Sequence, residues 1–217
     1  LKQDCAALQY IKSKTREICM EAVKQDFFAL QYVKEQTEEI CLLAVRRSGH
    51  VLRYVKNRTP LVCSEAVNSA GSALQYVEEQ TNEMCLGAVK REGWVLRYVK
   101  NQTFEICLEA VKNDGKALRF VISKTPEICL EAVKKDGMAL EYVKEQTPEV
   151  CMEAVKKNGV ALNFVEEQTE EMCIAAVRQH DVAFFYVKEK TPRICLEALI
   201  RNPNNITNVK KYICAKK

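Results

Sequence analysis

The chain has 217 residues, of which 47% are apolar and 29% charged, a make-up that fits a folded protein and excludes a disordered one. Its 33 basic and 29 acidic side chains leave a net charge of +4 and are mixed along the length, which argues against an electrostatic footprint for nucleic acid or a membrane surface. No apolar run reaches the roughly 18 residues of a membrane span, and no signal-peptide pattern precedes the first repeat; a removed targeting segment is compatible with a start at Leu1.

Cysteine sets the register. It recurs at Cys19, Cys41, Cys63, Cys85, Cys107, Cys129, Cys151, Cys173 and Cys195, always 22 residues apart. An enzyme needs each active-site residue once and has no use for such a ladder. A period of about 20–50 residues marks a solenoid, in which each repeat contacts only its neighbours.

In chain order, Leu1-Lys2-Gln3-Asp4 matches Val23-Lys24-Gln25-Asp26, so the chain is expected to begin inside the second helix of a repeat. Nine repeats follow, at 5–26, 27–48, 49–70, 71–92, 93–114, 115–136, 137–158, 159–180 and 181–202. The first element of each carries the pattern of Ala29, Leu30 and Val33, with an aromatic row at Tyr10, Tyr32, Tyr54, Tyr76, Tyr98, Phe120, Tyr142, Phe164 and Tyr186. Leu-x-Tyr also suits a strand, as in leucine-rich repeats. Apolar spacings of three and four, and the lack of an asparagine ladder, favour a helix.

A second helix starts at a threonine present in all nine repeats, Thr15, Thr37, Thr59, Thr81, Thr103, Thr125, Thr147, Thr169 and Thr191. Pro60, Pro126, Pro148 and Pro192, or Glu38 and Glu170, follow it. A hydroxyl N-cap followed by proline or an acid in the first turn is a helix start. Ile18, Cys19, Ala22 and Val23, at about 100° per residue, fall within an arc of about 140°, a wide buried face. Gly49, Gly71, Gly93, Gly115, Gly137 and Gly159 are expected to stop these helices in the left-handed conformation. Cys5, Phe27 and Asp181 take that place elsewhere, so their turns are expected to close less comfortably. Beyond Arg201, Pro203 takes the glycine place, Ile206 and Val209 keep the first-helix spacing, and 203–217 reads as a polar C-terminal cap.

The expected fold is all-α: one right-handed α-solenoid over 1–217, of nine two-helix repeats and a partial tenth. Stacked helices sit about 8–10 Å apart, whereas a disulfide needs Cα atoms within about 7 Å. The ladder thiols should therefore be buried, reduced and structural, which places the chain in a reducing intracellular compartment, the cytoplasm or an organelle interior.

The recurring Ala-Leu-x-Tyr-Val-Lys-x-Gln-Thr-Pro-Glu-Ile-Cys-Leu-Glu-Ala-Val-Lys-x-Asp-Gly resembles a domain-of-unknown-function family of short helical repeats found in protists, giant viruses and some intracellular bacteria. The resemblance covers nearly the whole chain. A looser similarity to leucine-rich-variant helical repeats points to the same architecture. Both imply an α-solenoid and bring no activity or catalytic residues.

Little in the chain suggests chemistry. His50 and His180 stand at different places in the repeat, no paired Cys/His metal motif occurs, and ladder thiols a repeat apart cannot converge on one ion. Nine equivalent cysteines offer no unique nucleophile, so no enzymatic activity, cofactor, metal or small-molecule substrate is expected. The row Glu21, Glu65, Glu109, Glu131, Glu153 and Glu197 reads as a solvated face pairing with bases three residues on.

One row changes identity from repeat to repeat, with only valine recurring: Ala6, Phe28, His50, Ser72, Trp94, Lys116, Met138, Val160 and Val182. Beside it Arg53, Arg97 and Arg119, with Gln75 between, suggest a local basic strip. Two readings stay open, a recognition surface or a permissive packing site. On the first, Phe28, His50, Trp94, Tyr98, Arg53, Arg97, Arg119 and Met138 are candidate partner-binding residues, and Trp94 shares a helix stripe with Tyr98 as Phe28 does with Tyr32. The expected function is a non-catalytic protein-interaction scaffold, alone or in a larger assembly. The alternatives are a helical-repeat nucleic-acid reader, against which Glu141, Asn163 and Phe185 break the basic row, and a targeting module of a longer enzyme.

Overall fold

The computed structural model describes residues 15–215, with side chains as far as residue 211. Expectations that fall on Cys5, Ala6, Tyr10, the opening Leu1–Asp4 and the Lys216-Lys217 end lie outside the described residues. From Phe27 to Arg201 every repeat is a six-residue 3₁₀ helix followed by a ten-residue α-helix, and no strand occurs among the described residues. The chain is an all-α repeat solenoid. No helix among the described residues is long and apolar enough to cross a membrane.

The chain divides into two compact units, Leu1–Glu109 and Ala110–Lys217, with the division inside the helix Phe104–Asn113. In the first unit the α-helices are Arg16–Gln25, Glu38–Arg47, Pro60–Ser69 and Asn82–Arg91, and the 3₁₀ helices Phe27–Tyr32, Gly49–Tyr54, Gly71–Tyr76 and Gly93–Tyr98. The second unit has α-helices Pro126–Lys135, Pro148–Lys157, Glu170–Gln179, Pro192–Arg201 and Ile206–Ala215, and 3₁₀ helices Gly115–Phe120, Gly137–Tyr142, Gly159–Phe164, Asp181–Tyr186 and Pro203–Asn205. Within each unit, α-helix packs on the α-helix of the next repeat and 3₁₀ helix on 3₁₀ helix, forming two layers.

The expected first helix is present, but it is 3₁₀ rather than α. Only six residues separate its start from the extended valine that ends it; Val33, for example, lies at φ −80° and ψ 119°, its N–H bonded to Leu30 O at 3.1 Å. Bonds to the third residue back close such a short piece where bonds to the fourth would leave most of its groups unpaired.

The threonines cap as expected. Thr37 Oγ1 accepts from Ile40 N–H at 3.4 Å and Thr169 Oγ1 from Met172 N–H at 3.2 Å. Some caps also join repeats, since the Thr59 hydroxyl donates to Glu38 at 2.6 Å and Thr191 donates to Glu170.

The glycine expectation is corrected. No described residue has positive φ, so these glycines are not left-handed helix stops. The turn belongs to the residue before, extended Asp136 at φ −141° and ψ 111°, whose N–H closes one helix on Ala132 O and whose carboxylate caps the next on Met138 N–H. Close approach is what requires glycine. A Cβ on Gly49 would stand 2.1 Å from Ala66 O on the following α-helix of the same repeat, and one on Gly115 2.6 Å from Ala132 O. Asp181 needs no left-handed backbone either; its carboxylate reaches across to Asn202 Nδ2 at 2.7 Å.

Each repeat buries the same set. Leu52, Val51, Val62, Ala66 and Val67 are buried in the third repeat, as are Leu140, Ala139, Val150, Ala154 and Val155 in the seventh. A fully buried Val, Leu or Ile side chain contributes about 1.5–3 kcal/mol, so the core of each unit accumulates repeat by repeat. The nine ladder cysteines are buried and form no disulfide, on the face where the sequence places them. In the C-terminal cap region the short 3₁₀ helix Pro203–Asn205 runs into the α-helix Ile206–Ala215: Val209 is buried, and Asn205 is buried with Nδ2 donating to Ala198 O at 3.2 Å.

Candidate interaction surface

Each six-residue 3₁₀ helix turns its second, fifth and sixth side chains, the two variable rows and the aromatic row, mostly outward, while the third and fourth fill the core. In the first unit this face carries Phe28, His50 and Trp94, all exposed, beside the half-buried Tyr32, Tyr54, Tyr76 and Tyr98. Trp94 is 37% and Phe28 36% exposed. Ser72, in the same row, is buried at 6% and its hydroxyl meets His50 Nδ1 at 3.3 Å, so neighbouring members of the row touch.

The aromatic groups are held edge to face. Trp94 packs on Tyr98 with centroids 5.9 Å apart and planes at 74°, and its Nε1–H donates to the Glu92 carboxylate at 3.0 Å. Phe28 packs edge-on against Tyr54 of the following repeat at 6.4 Å, a partner one repeat away from the Tyr32 expected to share its stripe. Arg53 lies over the Tyr54 ring at 4.6 Å and Arg97 over Tyr98 at 5.3 Å, so the basic row covers the aromatic row.

In the second unit Arg119 lies over Phe120 at 4.4 Å, Lys116 pairs with Asp136 at 3.8 Å, and Met138 is half-buried with its N–H capped by Asp136. Val182, Phe185 and Tyr186 are exposed on the last six-residue 3₁₀ helix. Each candidate residue therefore lies on the 3₁₀ face, in one unit or the other.

The opposite, α-helical face repeats its chemistry. Glu131–Lys134 and Glu153–Lys156 pair at 3.0 Å three residues apart, as expected. Glu65 and Glu197 instead reach back one repeat to Arg46 and Arg178. Exposed pairs of this kind are worth at most about 1 kcal/mol.

Burial pushes the thiols up, Cys41 and Cys173 to about 11, opposite to the shift that activates a nucleophile. Among the described residues no group of three or more His, Cys, Asp or Glu is placed to hold a metal ion.

Sequence reasoning passed over one row, the glutamine before the capping threonine. Gln36 Nε2 donates to Leu30 O at 3.2 Å and to Tyr54 O of the next repeat at 2.9 Å, while Oε1 accepts from Lys56 N–H at 2.9 Å. Gln80 and Gln168 make the same three bonds, and Gln146 makes the two that cross repeats. The signal was present in the period, as Gln36, Gln80, Gln102, Gln146 and Gln168, with Lys14, Arg58, Lys124 and Lys190 exchanged for it.

Residues 1–37, 15–59, 103–147 and 125–169 each match the family described as Domain of unknown function (DUF4116), and together they span more than half of the chain. The chain belongs to this family. The DUF4116 matches overlap by one 22-residue repeat in each pair, in step with the cysteine ladder, as expected of a profile that takes in two repeats at once. No curated protein and no solved structure matches the chain.

Proposed function

We propose that this DUF4116 chain is a non-catalytic protein-interaction scaffold that binds through its 3₁₀ face, either alone or within a larger assembly. The observation that carries the reading is a contrast between faces. The α-helical side largely repeats one chemistry, whereas the 3₁₀ side sets a constant aromatic row beside two rows whose identity varies along the chain. Exposed aromatics with arginine laid over them are the usual substance of interface hot spots. In the first unit the three rows hold His50, Arg53 and Arg97, and the one carboxylate that meets them, Glu92, is engaged by Trp94 Nε1, which suits a segment bearing acidic and apolar side chains. Raised thiol pKa values support the non-catalytic part, and a buried ladder of thiols rather than disulfides supports a reducing compartment, cytoplasmic or inside an organelle.

Trp94→Ala tests it. Partners captured on the immobilised native chain are identified by mass spectrometry, then re-measured against Trp94→Ala and against Glu127→Ala on the α-helical face. Loss of binding with Trp94→Ala alone, at an unchanged melting temperature, supports the recognition face. Binding retained with a lowered melt returns Trp94 to a packing role, where truncation costs about 3–5 kcal/mol.

A further inference from the structure

At the glutamine-bearing junctions the two cross-repeat bonds fall on a carbonyl and an N–H that flank one extended valine. Val55, between Tyr54 O and Lys56 N–H, lies at φ −76° and ψ 123°. An extended residue offers its neighbours' C=O and N–H in this way to a parallel strand. The glutamine carboxamide thus stands in for one residue of a bound strand.

Arg58 and Lys124 occupy the glutamine place at two junctions, one in each unit. Arg58 Nε keeps the bond within its own repeat, to Leu52 O at 3.3 Å, and its guanidinium reaches the Glu78 carboxylate at 4.0 Å. A guanidinium has no acceptor, so it cannot serve an N–H. Tyr76 O and Glu78 N–H, flanking extended Val77 (φ −90°, ψ 122°), meet no partner among the described residues. Lys124 behaves alike: Nζ turns to Val121 O at 3.0 Å, leaving Tyr142 O and Lys144 N–H on either side of extended Val143 (φ −92°, ψ 115°). A cavity of about 460 Å³ opens at the first, bordered by Arg58, Cys63, Val77, Glu78 and Met84, larger than the clefts of about 300 and 230 Å³ at the Gln168 and Gln146 junctions. That at the second, about 260 Å³, matches those clefts in size, so there the unmade bonds alone mark the site.

We propose that these two junctions are binding sites for an amide group brought by a ligand, the side-chain carboxamide of Asn or Gln or the backbone of an extended peptide. A carboxamide donates its N–H to Tyr76 O and accepts from Glu78 N–H at its oxygen, and in an extended peptide the N–H and C=O of one residue do the same, restoring the pair that Gln36 or Gln80 makes within the chain. At the second junction Tyr142 O and Lys144 N–H play the same parts. A carboxylate lacks the donor and meets Glu78 and Glu79; an amine lacks the acceptor. The larger cavity has room for a side chain beyond the amide. These sites are separate from the aromatic face, and their occupation does not depend on it.

The test follows backbone amides by NMR in the ¹⁵N-labelled full chain during titration with propionamide, a side-chain mimic, and with N-acetylglycine N-methylamide, a backbone mimic. Propionate serves as the matched control without a donor. Saturable shifts are expected at Glu78 and Lys144, while Lys56, Lys100 and Lys188, whose amides already bond to glutamine, stay put. Response to propionamide alone assigns a side-chain ligand; response to the diamide assigns a backbone. Arg58→Gln should raise the melting temperature and abolish the Glu78 response while leaving that of Lys144. Absence of a saturable shift at Glu78, an equal response to propionate, or an undiminished response in Arg58→Gln would overturn the proposal.

Discussion

At the scale of single residues, two polar groups in an otherwise apolar seam govern how repeats join. The glutamine amide satisfies backbone groups of two repeats at once, and the Cys85 thiol points at the same Oε1, at 3.7 Å from Gln80. Gln80→Ala would leave Tyr98 O and Lys100 N–H without that partner, and a buried group so stranded costs about 1–3 kcal/mol. Urea denaturation should show a loss of that size, while Gln75→Ala, on an exposed position, should be close to neutral. The thiols predict a pH dependence. An unfolded thiol titrates near 9.0, but burial, reinforced by Glu38, raises Cys41 to about 11, and burial raises Cys173 to about 11. Between these values the unfolded chain has released protons that the folded chain still holds, so stability should fall as pH rises from about 9 towards 11. The urea midpoint should drop over that window and drop less in the Cys41→Ser/Cys173→Ser double variant. Equal slopes in the two proteins would show that the thiols are not responsible. Below pH 8 the native thiols should react with a thiol reagent only as the chain unfolds.

Among the elements, the junction between α-helix and 3₁₀ helix is the tightest point of the fold, and its glycines respond differently to the same change. Gly49→Ala drives a Cβ to 2.1 Å from the Ala66 carbonyl, where only backbone movement gives relief, and should destabilise by about 1–3 kcal/mol or more. Gly71→Ala meets the Val95 side chain at 3.2 Å and should cost less. Gly87, inside the helix Asn82–Arg91, has nothing nearer than Arg91 at 3.7 Å, so Gly87→Ala should stabilise by up to about 1 kcal/mol. Thermal melts of the three variants should fall in that order, and a reversed order of Gly49 and Gly87 would refute the close-approach account. The same junction shows how far the sequence was legible. Thr147, Pro148 and the spacing of Val150, Cys151, Ala154 and Val155 carry their helix locally, so its start, face and buried thiol were all readable. Gly137 was recognised as a boundary but assigned the wrong cause, because the Ala154 carbonyl that excludes a Cβ lies well along the chain, on the following helix Pro148–Lys157. The 3₁₀ form was hidden for a related reason: Ala139, Leu140 and Val143 fit either helical period over so few residues. Gln146 was overlooked since its partners, Phe164 O and Glu166 N–H, are backbone groups whose position no side-chain pattern announces. On the candidate face, the row containing Phe28, His50 and Trp94 stood out by its variation, yet the burial of Ser72 and the pairing of Phe28 with Tyr54 required the stacked repeats.

For the molecule as a whole, a repeat chain lacks a single centre, and its stability is a sum of repeat and junction terms. Every packing contact that fixes Ala154 comes from its own repeat or the adjoining ones, since the helix Pro148–Lys157 packs on Pro126–Lys135 and Glu170–Gln179 and on the flanking 3₁₀ helices. Ala154 is fully buried, so Ala154→Asp places a charge among apolar groups without a partner, a penalty of several kcal/mol by the usual measure of buried charge. A globular core would transmit that loss everywhere, and all amides would lose protection together. A ladder of nearest-neighbour junctions distributes it differently. Hydrogen exchange in Ala154→Asp should show protection lost first in residues 137–180, reduced in the repeats beyond, and retained at 38–91 in the first unit. Because each junction adds its own term, a second change should add to the first when several repeats separate them and compound it when they share a junction. Ala154→Asp combined with Gln146→Ala should therefore cost more than the two singly, and combined with Gln36→Ala only their sum. Uniform loss of protection along the chain would instead make the repeats one cooperative body.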